Sequence, residues 1–169
     1  TQDLSDEGGP AAAEAIMTTD TVPKTAEYHS PHHWAIGGMA KGAGMLAPAL
    51  ATMLVVITTD AVVAADELAS ALTTATSFTF DRTDSDGCMS TNDTVMLLAS
   101  GASGEAADPE EFTEALTGVC HSLAMQLLAD SEGSSHDIEV TVAGGASEAD
   151  ALAVARAIAR SNLFKCAVF

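Results

Sequence analysis

The strongest strand pattern in this chain of 169 residues is the run Met53-Leu54-Val55-Val56-Ile57-Thr58. Its β-branched residues favour extended backbone, because two heavy atoms on Cβ restrict the side chain and suit a pleated surface. The apolar positions are continuous rather than alternating, which is typical of a strand that is covered on both faces. Residues 53–58 therefore predict a strand buried within a sheet.

Strand and helix patterns flank this run on both sides. Strand patterns occur at residues 24–28, 34–39 and 94–99, and in the alternating set Ile138, Val140 and Val142. Helix patterns occur at residues 10–17 and 64–76 and in two longer segments nearer the C-terminus. This mixture of strands and helices predicts a layered α/β or α+β domain.

The two C-terminal helices carry clear start signals. Asp108-Pro109-Glu110-Glu111 combines an N-cap aspartate with proline in the first turn and acidic residues that favour a helix N-terminus. Ser147 with Asp150 is the pattern of a capping box. In the last helix four apolar residues are expected to face inward: Leu152, Ala155, Ile158 and Ala159.

Charge excludes two classes of partner. The chain has 24 acidic and 6 basic residues, a formal net charge of −18. Such a surface cannot release counterions from phosphates, so we expect no nucleic-acid partner. It also disfavours an anionic membrane surface, and the apolar run at residues 53–57 is far shorter than the roughly 20 residues of a spanning helix. We expect no membrane contact.

Cysteine and histidine residues give no sign of a metal site. Cys88, Cys120 and Cys166 are scattered and odd in number, which favours a reducing cytoplasm over a disulfide framework or a zinc site. His29, His32 and His33 lie in one stretch without partners at ligand spacing, so a surface loop is the better interpretation. We expect no bound metal.

Five short segments are rich in glycine, hydroxyl and charged residues. Their occurrence in one order is a more specific signal than any one of them alone. They are Ile16-Met17-Thr18-Thr19-Asp20-Thr21 with Pro23-Lys24, Gly38-Met39-Ala40-Lys41-Gly42-Ala43-Gly44-Met45, Ala51-Thr52-Met53-Leu54, Ser90-Thr91-Asn92-Asp93-Thr94, and Glu132-Gly133. In this order they resemble the ornithine acetyltransferase family, bifunctional enzymes of arginine biosynthesis that act as glutamate N-acetyltransferases. The resemblance covers nearly the whole chain.

The resemblance implies an αββα-type sandwich with chemistry similar to that of N-terminal-nucleophile hydrolases. It implies that the chain cuts itself between Ala51 and Thr52, so that residues 1–51 end an alpha chain and residues 52–169 begin a beta chain. Family members place their oxyanion-hole segment before residue 1 and an asparagine and a threonine that contact substrate after residue 169. We therefore expect a sequence truncated at both ends.

Thr52 is the nucleophile that the resemblance implies. A threonine hydroxyl attacks poorly until a base removes its proton, and cleavage would free an α-amine on the same residue. An α-amine titrates near pH ~8, so a small shift makes it a usable base at neutral pH. Without the flanking motifs, Thr52 would be read simply as the threonine that begins a strand.

Three further residues are implied to bind the substrate. Lys41 would hold a carboxylate, Thr18 would offer its hydroxyl, and Glu132 would bind the amino end. The alternatives are a solvated loop lysine, a turn threonine and a loop glutamate. A phosphate-binding P-loop is excluded at Lys41, because the next residue is Gly42 rather than serine or threonine.

The implied reaction is a ping-pong transfer of acetyl from N2-acetyl-L-ornithine to L-glutamate through an acetyl-Thr52 intermediate. It implies no cofactor; some relatives also accept acetyl-CoA, and the sequence leaves that use open. The cut chains are implied to stay associated and to form a homo-oligomer. Ser135-His136 stands where family members commonly have Thr-Lys, which puts the role of that lysine in doubt.

Two other functional hypotheses stay open at this point. One is a self-processing N-terminal-nucleophile aminopeptidase or amidase, which would place a nucleophile at a similar strand start. It would have no reason to carry the segments around Lys41 and Asn92. The other is a fragment that folds or binds without turnover. Acetyl-transfer and peptide-hydrolysis assays separate the enzymes, and intact mass reveals an uncut chain.

Overall fold

The computed structural model describes residues 5–43, 53–85 and 92–168. The elements in chain order are α1 (Gly9–Ala15), β1 (Lys24–His29), β2 (Ala35–Lys41), β3 (Leu54–Thr59), α2 (Ala65–Phe78), a 3-10 turn (Phe80–Arg82), β4 (Thr94–Ala99), α3 (Pro109–Ala129), α4 (Glu148–Ala159) and α5 (Asn162–Val168). A helical layer packs on a four-stranded sheet. This arrangement confirms the predicted α+β layered class, and the described residues contain one four-stranded sheet.

The strands lie side by side in the order in which they occur in the chain, β1-β2-β3-β4. The first two pairings are antiparallel, whereas β3 and β4 run parallel and are joined by a crossover that contains α2. Lys41 pairs with Leu54, and Leu54 pairs with Thr94. The C-terminal end of β2 therefore lies beside the N-terminal ends of β3 and β4.

The core lies between the sheet and α3. Val55 and Ile57 of β3 are fully buried, as are Leu116 and Leu123 of α3. Complete burial of such a side chain contributes about 1.5–3 kcal/mol. Gly38 of β2 allows this close packing, because a Cβ atom there would lie 3.0 Å from Leu123 Cδ1.

The expectation that residues 53–58 are covered on both faces is wrong for the described part of the chain. In β3, Leu54 and Val56 are only half-buried and Thr58 is exposed. On β4, Met96 and Leu98 remain 47% and 53% exposed. The helices that pack on the sheet within residues 5–43, 53–85 and 92–168 cover one face only. The apolar side chains on the other face therefore stay partly exposed.

The predicted strand at Ile138, Val140 and Val142 is also wrong. This segment has no regular secondary structure, and Ile138 is 47% exposed. An alternating run becomes a strand only where a sheet edge accepts it. The free edge of β1 is instead contacted by Gln126, whose side chain bonds both the amide and the carbonyl of Thr25.

Helix α4 starts at the predicted residue, but its packing differs from the prediction. Ser147 Oγ accepts a hydrogen bond from the Asp150 amide at 3.1 Å, as a capping serine should. No residue of α4 is buried, so the expected inward positions Leu152, Ala155, Ile158 and Ala159 are not core positions. Within the described residues α4 packs against α5, a helix that the sequence patterns did not predict.

The predicted start of α3 is confirmed. Asp108 Oδ1 accepts from the Glu110 and Glu111 amides, both at 3.0 Å. From this cap the helix runs 21 residues to Ala129, which carries Asp130 to the end of the sheet where β1 begins. No helix in the described ranges is long and apolar enough to cross a membrane.

A buried ion cluster ties the loop before β1 to the end of α3. Lys24 Nζ is fully buried and lies 2.6 Å from Asp20 Oδ1 and 2.5 Å from Asp130 Oδ2. Asp130 also accepts hydrogen bonds from the Thr21 amide at 3.0 Å and from the Thr21 hydroxyl. The contacts between Thr21 and Asp130 join residues that are 109 positions apart in the sequence. The cluster therefore connects two distant parts of the chain.

Hydrogen bonds outweigh burial at both carboxylates of this cluster. Burial alone would raise the pKa of Asp20, but bonds from the Gly42 amide, Lys24 and the Thr18 amide lower it below 3.8. The pKa of Asp130 is likewise lowered, because bonds from Lys24 and Thr21 outweigh its desolvation. Both groups are therefore held as carboxylates in the folded protein.

We expect Ile57→Ala to lower the free energy of unfolding by about 2–5 kcal/mol, because it opens a cavity in the core. The matched substitution Ile138→Ala should change it by no more than about 0.5 kcal/mol, since that residue is exposed. Urea denaturation measures both. Equal losses would contradict the assignment of Ile138 to an exposed, irregular segment.

The ion cluster predicts a loss of stability in acid. Because the folded pKa of Asp20 lies below 3.8, its contribution is complete above that pH and disappears as the pH falls through the folded pKa. Asp20→Asn should therefore be less stable than wild type at neutral pH, and the two curves should converge in acid. Exposed Glu114 supplies the control, and Glu114→Gln should run parallel to wild type. Parallel curves for Asp20→Asn would refute the assignment.

Candidate active site

Lys41 is a buried cation with a single neutral side-chain partner. It ends β2, is 6% exposed, and directs Nζ toward Thr18 Oγ1 at 3.4 Å. Within the described ranges no carboxylate forms an ion pair with it. A buried ammonium group without a counter-ion is unfavourable, so this end of the sheet is suited to receive an anion.

Thr18 follows α1 and lies on the exposed side of Lys41. Its amide donates to Asp20 Oδ2 at 3.1 Å, which fixes the backbone while the hydroxyl stays beside the ammonium group. The two predicted substrate contacts Thr18 and Lys41 are thus neighbours, although 23 residues separate them in sequence.

Glu132 lies in the turn after α3 and is exposed. Its amide donates to the Ala43 carbonyl at 2.7 Å, which joins this turn to the chain two residues beyond Lys41. The next residue, Gly133, has a φ of +72°, a conformation that glycine adopts without strain. The backbone therefore brings the predicted acidic contact to the same end of the sheet as the predicted basic one.

Ala51 and Thr52 lie outside the described residues. Met53 is the first described residue after them. The Met53 amide donates to Asp93 Oδ1 and its carbonyl accepts from the Thr94 amide, each at 3.0 Å. Gly42 lies opposite, where an added Cβ would be 3.6 Å from Met53 Cα. The peptide that follows Thr52 is thus held next to the end of β2 that carries Lys41.

Several residues for which the sequence motifs predict no role organise this region. Asp20 Oδ1 accepts from the Gly42 amide at 2.6 Å and from Lys24, and Asp93 holds the Met53 amide. The four-residue spacing of Asp20 and Lys24 was a visible signal for an ion pair. Asp130 had no such signal, because its partners are distant in sequence.

Other reactive side chains lie away from this cluster. His29 and His32 are exposed, and their Nε2 atoms lie 3.7 Å from carboxylate oxygens of Glu27 and Glu111, respectively. His32 lies in the loop between β1 and β2, as predicted, whereas His29 is the last residue of β1, so the predicted loop is wrong for that residue. No group of three or more potential metal ligands occurs within residues 5–43, 53–85 and 92–168. Burial raises the pKa of Cys120 to about 12, so its thiol stays protonated and is a poor nucleophile.

Ser135-His136, the departure from the expected Thr-Lys pair, lies in the exposed segment after Glu132. Ser135 Oγ and His136 Nδ1 are 2.8 Å apart. A histidine side chain is shorter than a lysine side chain, so the reach of the side chain at position 136 differs from that of the expected pair.

Comparisons with known proteins identify relatives of this chain. A protein of Streptomyces avermitilis named Arginine biosynthesis bifunctional protein ArgJ is 61% identical over 165 residues, 98% of this chain and 43% of that protein. One of the same name from Bifidobacterium longum is 58% identical over 162 residues, 96% of this chain and 41% of that protein. The chain therefore spans about two fifths of the length of these relatives.

A solved structure and a family model extend the comparison. The crystal structure of Arginine biosynthesis bifunctional protein ArgJ from Bacillus halodurans matches with a TM-score of 0.59 and 39% identity, over 68% of this chain and 55% of that one. The model of the ArgJ family matches residues 1–169. Since that match covers every residue, including the segments around Lys41 and Glu132, the chain belongs to the ArgJ family.

Proposed function

We propose that this chain is the part of an ornithine acetyltransferase that carries the nucleophile and one wall of the substrate site. The whole enzyme would transfer acetyl from N2-acetyl-L-ornithine to L-glutamate, which makes it a glutamate N-acetyltransferase. Family membership supports the reaction class. The arrangement of Lys41, Thr18 and Glu132 supports an amino-acid substrate.

The observation that carries this proposal is the buried Lys41, which forms no ion pair with any carboxylate of residues 5–43, 53–85 and 92–168. An amino-acid substrate brings a carboxylate, and a charge-assisted hydrogen bond to that carboxylate would offset the desolvation of the ammonium group. Thr18 Oγ1, 3.4 Å from Nζ, can donate to the same carboxylate. A neutral or cationic ligand would leave the lysine charge uncompensated.

Glu132 supplies the opposite charge. N-acetylornithine has a free amino group at the end of its side chain, and a carboxylate that reaches it forms a second charge-assisted bond. The backbone bond from Glu132 to Ala43 keeps this residue in register with Lys41. A substrate held at both ends presents its acetyl group in a defined orientation, which is how positioning lowers an activation barrier.

Thr52 would perform the chemistry after the chain cuts itself at Ala51–Thr52. The freed α-amine takes the hydroxyl proton while Oγ1 attacks the acetyl carbonyl carbon, and the proton then passes to the departing ornithine nitrogen as the amide bond breaks. The amine of glutamate next attacks the acetyl ester, and the Thr52 hydroxyl is restored. The Met53 amide donates to Asp93 Oδ1, and this bond fixes the residue that follows the proposed nucleophile in the sequence.

This scheme defines the assembly that we propose. Residues 1–51 would end one chain and residues 52–169 would begin the other, and β2 and β3 keep the two paired across the cut. The transfer needs no cofactor, because acetyl moves directly to Thr52; acetyl-CoA would enter only as another acetyl donor. We place the enzyme in the cytoplasm as a homo-oligomer of the paired chains, and the free Cys120 and Cys166 of the described residues agree with a reducing compartment.

We expect the full-length protein to appear as two fragments, the second beginning at Thr52. Thr52→Ala should remain one chain, because the substitution removes the attacking hydroxyl. Thr58→Ala, which removes an exposed hydroxyl from β3, should still be cut. Intact mass and N-terminal sequencing measure these outcomes. Cleavage at another bond, or cleavage that survives in Thr52→Ala, would refute the scheme.

Lys41→Ala and Glu132→Ala should each weaken binding of N-acetylornithine by about ten- to a hundred-fold, since a charge-assisted hydrogen bond is worth roughly 1.5–3 kcal/mol. Both variants should still cut themselves. Steady-state kinetics of acetyl transfer, with peptide hydrolysis assayed in parallel, provide the measurement. Lys165→Ala and Glu114→Ala are charge-matched controls that should behave as wild type. Unchanged constants for both Lys41 and Glu132 variants, or hydrolysis without transfer, would exclude the proposed substrate.

A further inference from the structure

We infer that the ion cluster of Asp20, Lys24 and Asp130 positions the substrate-binding residues, with Lys24 as the positioning residue that couples the two ends of the site. This inference rests on the proposed function, because it concerns the same substrate contacts. Lys24 is fully buried, and its ammonium group already forms ion pairs with two carboxylates. It acts on the substrate only through its partners.

One carboxylate controls the basic end of the site. Asp20 Oδ2 accepts from the amide of Thr18, and Oδ1 accepts from the amide of Gly42, the residue after Lys41. The 2.6 Å bond from Lys24 to Oδ1 holds this carboxylate in place. Both predicted partners of the substrate carboxylate therefore depend on the position of a single side chain.

The other carboxylate leads to the acidic end. Asp130 follows the last residue of α3, and its amide donates to the Gln126 carbonyl at 3.2 Å. Two residues later the Glu132 amide donates to the Ala43 carbonyl. Lys24 bonds Asp130 at 2.5 Å and so holds the start of the turn that presents Glu132.

Removal of the lysine charge should separate these two ends. Asp20 and Asp130 would then be two neighbouring carboxylates with no cation between them, and like charges in a poorly hydrated site repel. Buried ion pairs add little net stability compared with packed apolar groups. Their fixed distances nevertheless define geometry, and a displacement of about 1 Å can lower a rate by about a hundred-fold.

The test is a mutant cycle in the processed full-length enzyme. Lys24→Met keeps the length of the side chain and removes its charge. It should raise KM for N-acetylornithine by about ten-fold or more, with a smaller change in kcat. In a Lys41→Ala Glu132→Ala background the same substitution should add less than about three-fold, because the two charged contacts that it positions are already absent.

A control separates positioning from general destabilisation. Leu116→Ala removes a fully buried side chain of α3 and should lower the urea midpoint of unfolding, because it opens a cavity in the core. A purely structural role for Lys24 predicts that Lys24→Met behaves as this control does, with the same factor on KM in both backgrounds. If Lys24→Met fails to fold, Asp130→Asn, which retains an acceptor for Thr21, should raise KM in the same non-additive way.

The KM values distinguish a failure of this inference from a failure of the proposed function. A KM for Lys24→Met within two-fold of wild type, or equal factors in both backgrounds, would overturn the inference while a raised KM for Lys41→Ala still supports the proposed function. An unchanged KM for Lys41→Ala alone would contradict the proposed function. The inference would then fail with it, because Lys24 would have no substrate contact to position at that end.

Discussion

The rest of the structure depends on one buried ammonium group. Lys24 Nζ lies between Asp20 and Asp130 and joins the first strand of the sheet to the end of its longest helix. Moving either carboxylate away from Lys24 would leave buried charge without its full compensation, which is unfavourable. The loop before β1 and the turn after α3 therefore have fixed positions. The predicted substrate contacts lie on this loop, on this turn and at the adjoining end of β2.

Strand pairing provides the second constraint. β2 runs antiparallel to β3, and β3 runs parallel to β4, so the end of one strand meets the starts of two others. Lys41 thereby lies opposite Leu54, two residues after the proposed nucleophile Thr52. Strand pairing therefore brings Lys41 and the start of β3 to the same end of the sheet.

Local patterns in the sequence were informative where local physics decides the structure. The Asp108 cap, the strand at residues 94–99 and the apolar β3 run all follow from short-range preferences, and each is present. Burial was less predictable, because it depends on which elements cover a face. Val56 and Met96 carry apolar side chains on the uncovered face, and Ile138 alternates with polar residues in a segment that joins no sheet edge.

The site could be predicted in part. The ordered motifs pointed to Thr18, Lys41 and Glu132, but their mutual positions depend on long-range bonds to Asp20 and Asp130 that no spacing encodes. The most direct test of the central claim is intact mass of the processed enzyme mixed with N-acetylornithine in the absence of glutamate. The account predicts one acetyl adduct on the fragment that begins with Thr52, and its loss when glutamate is added. An adduct on any other residue, or none, would contradict it.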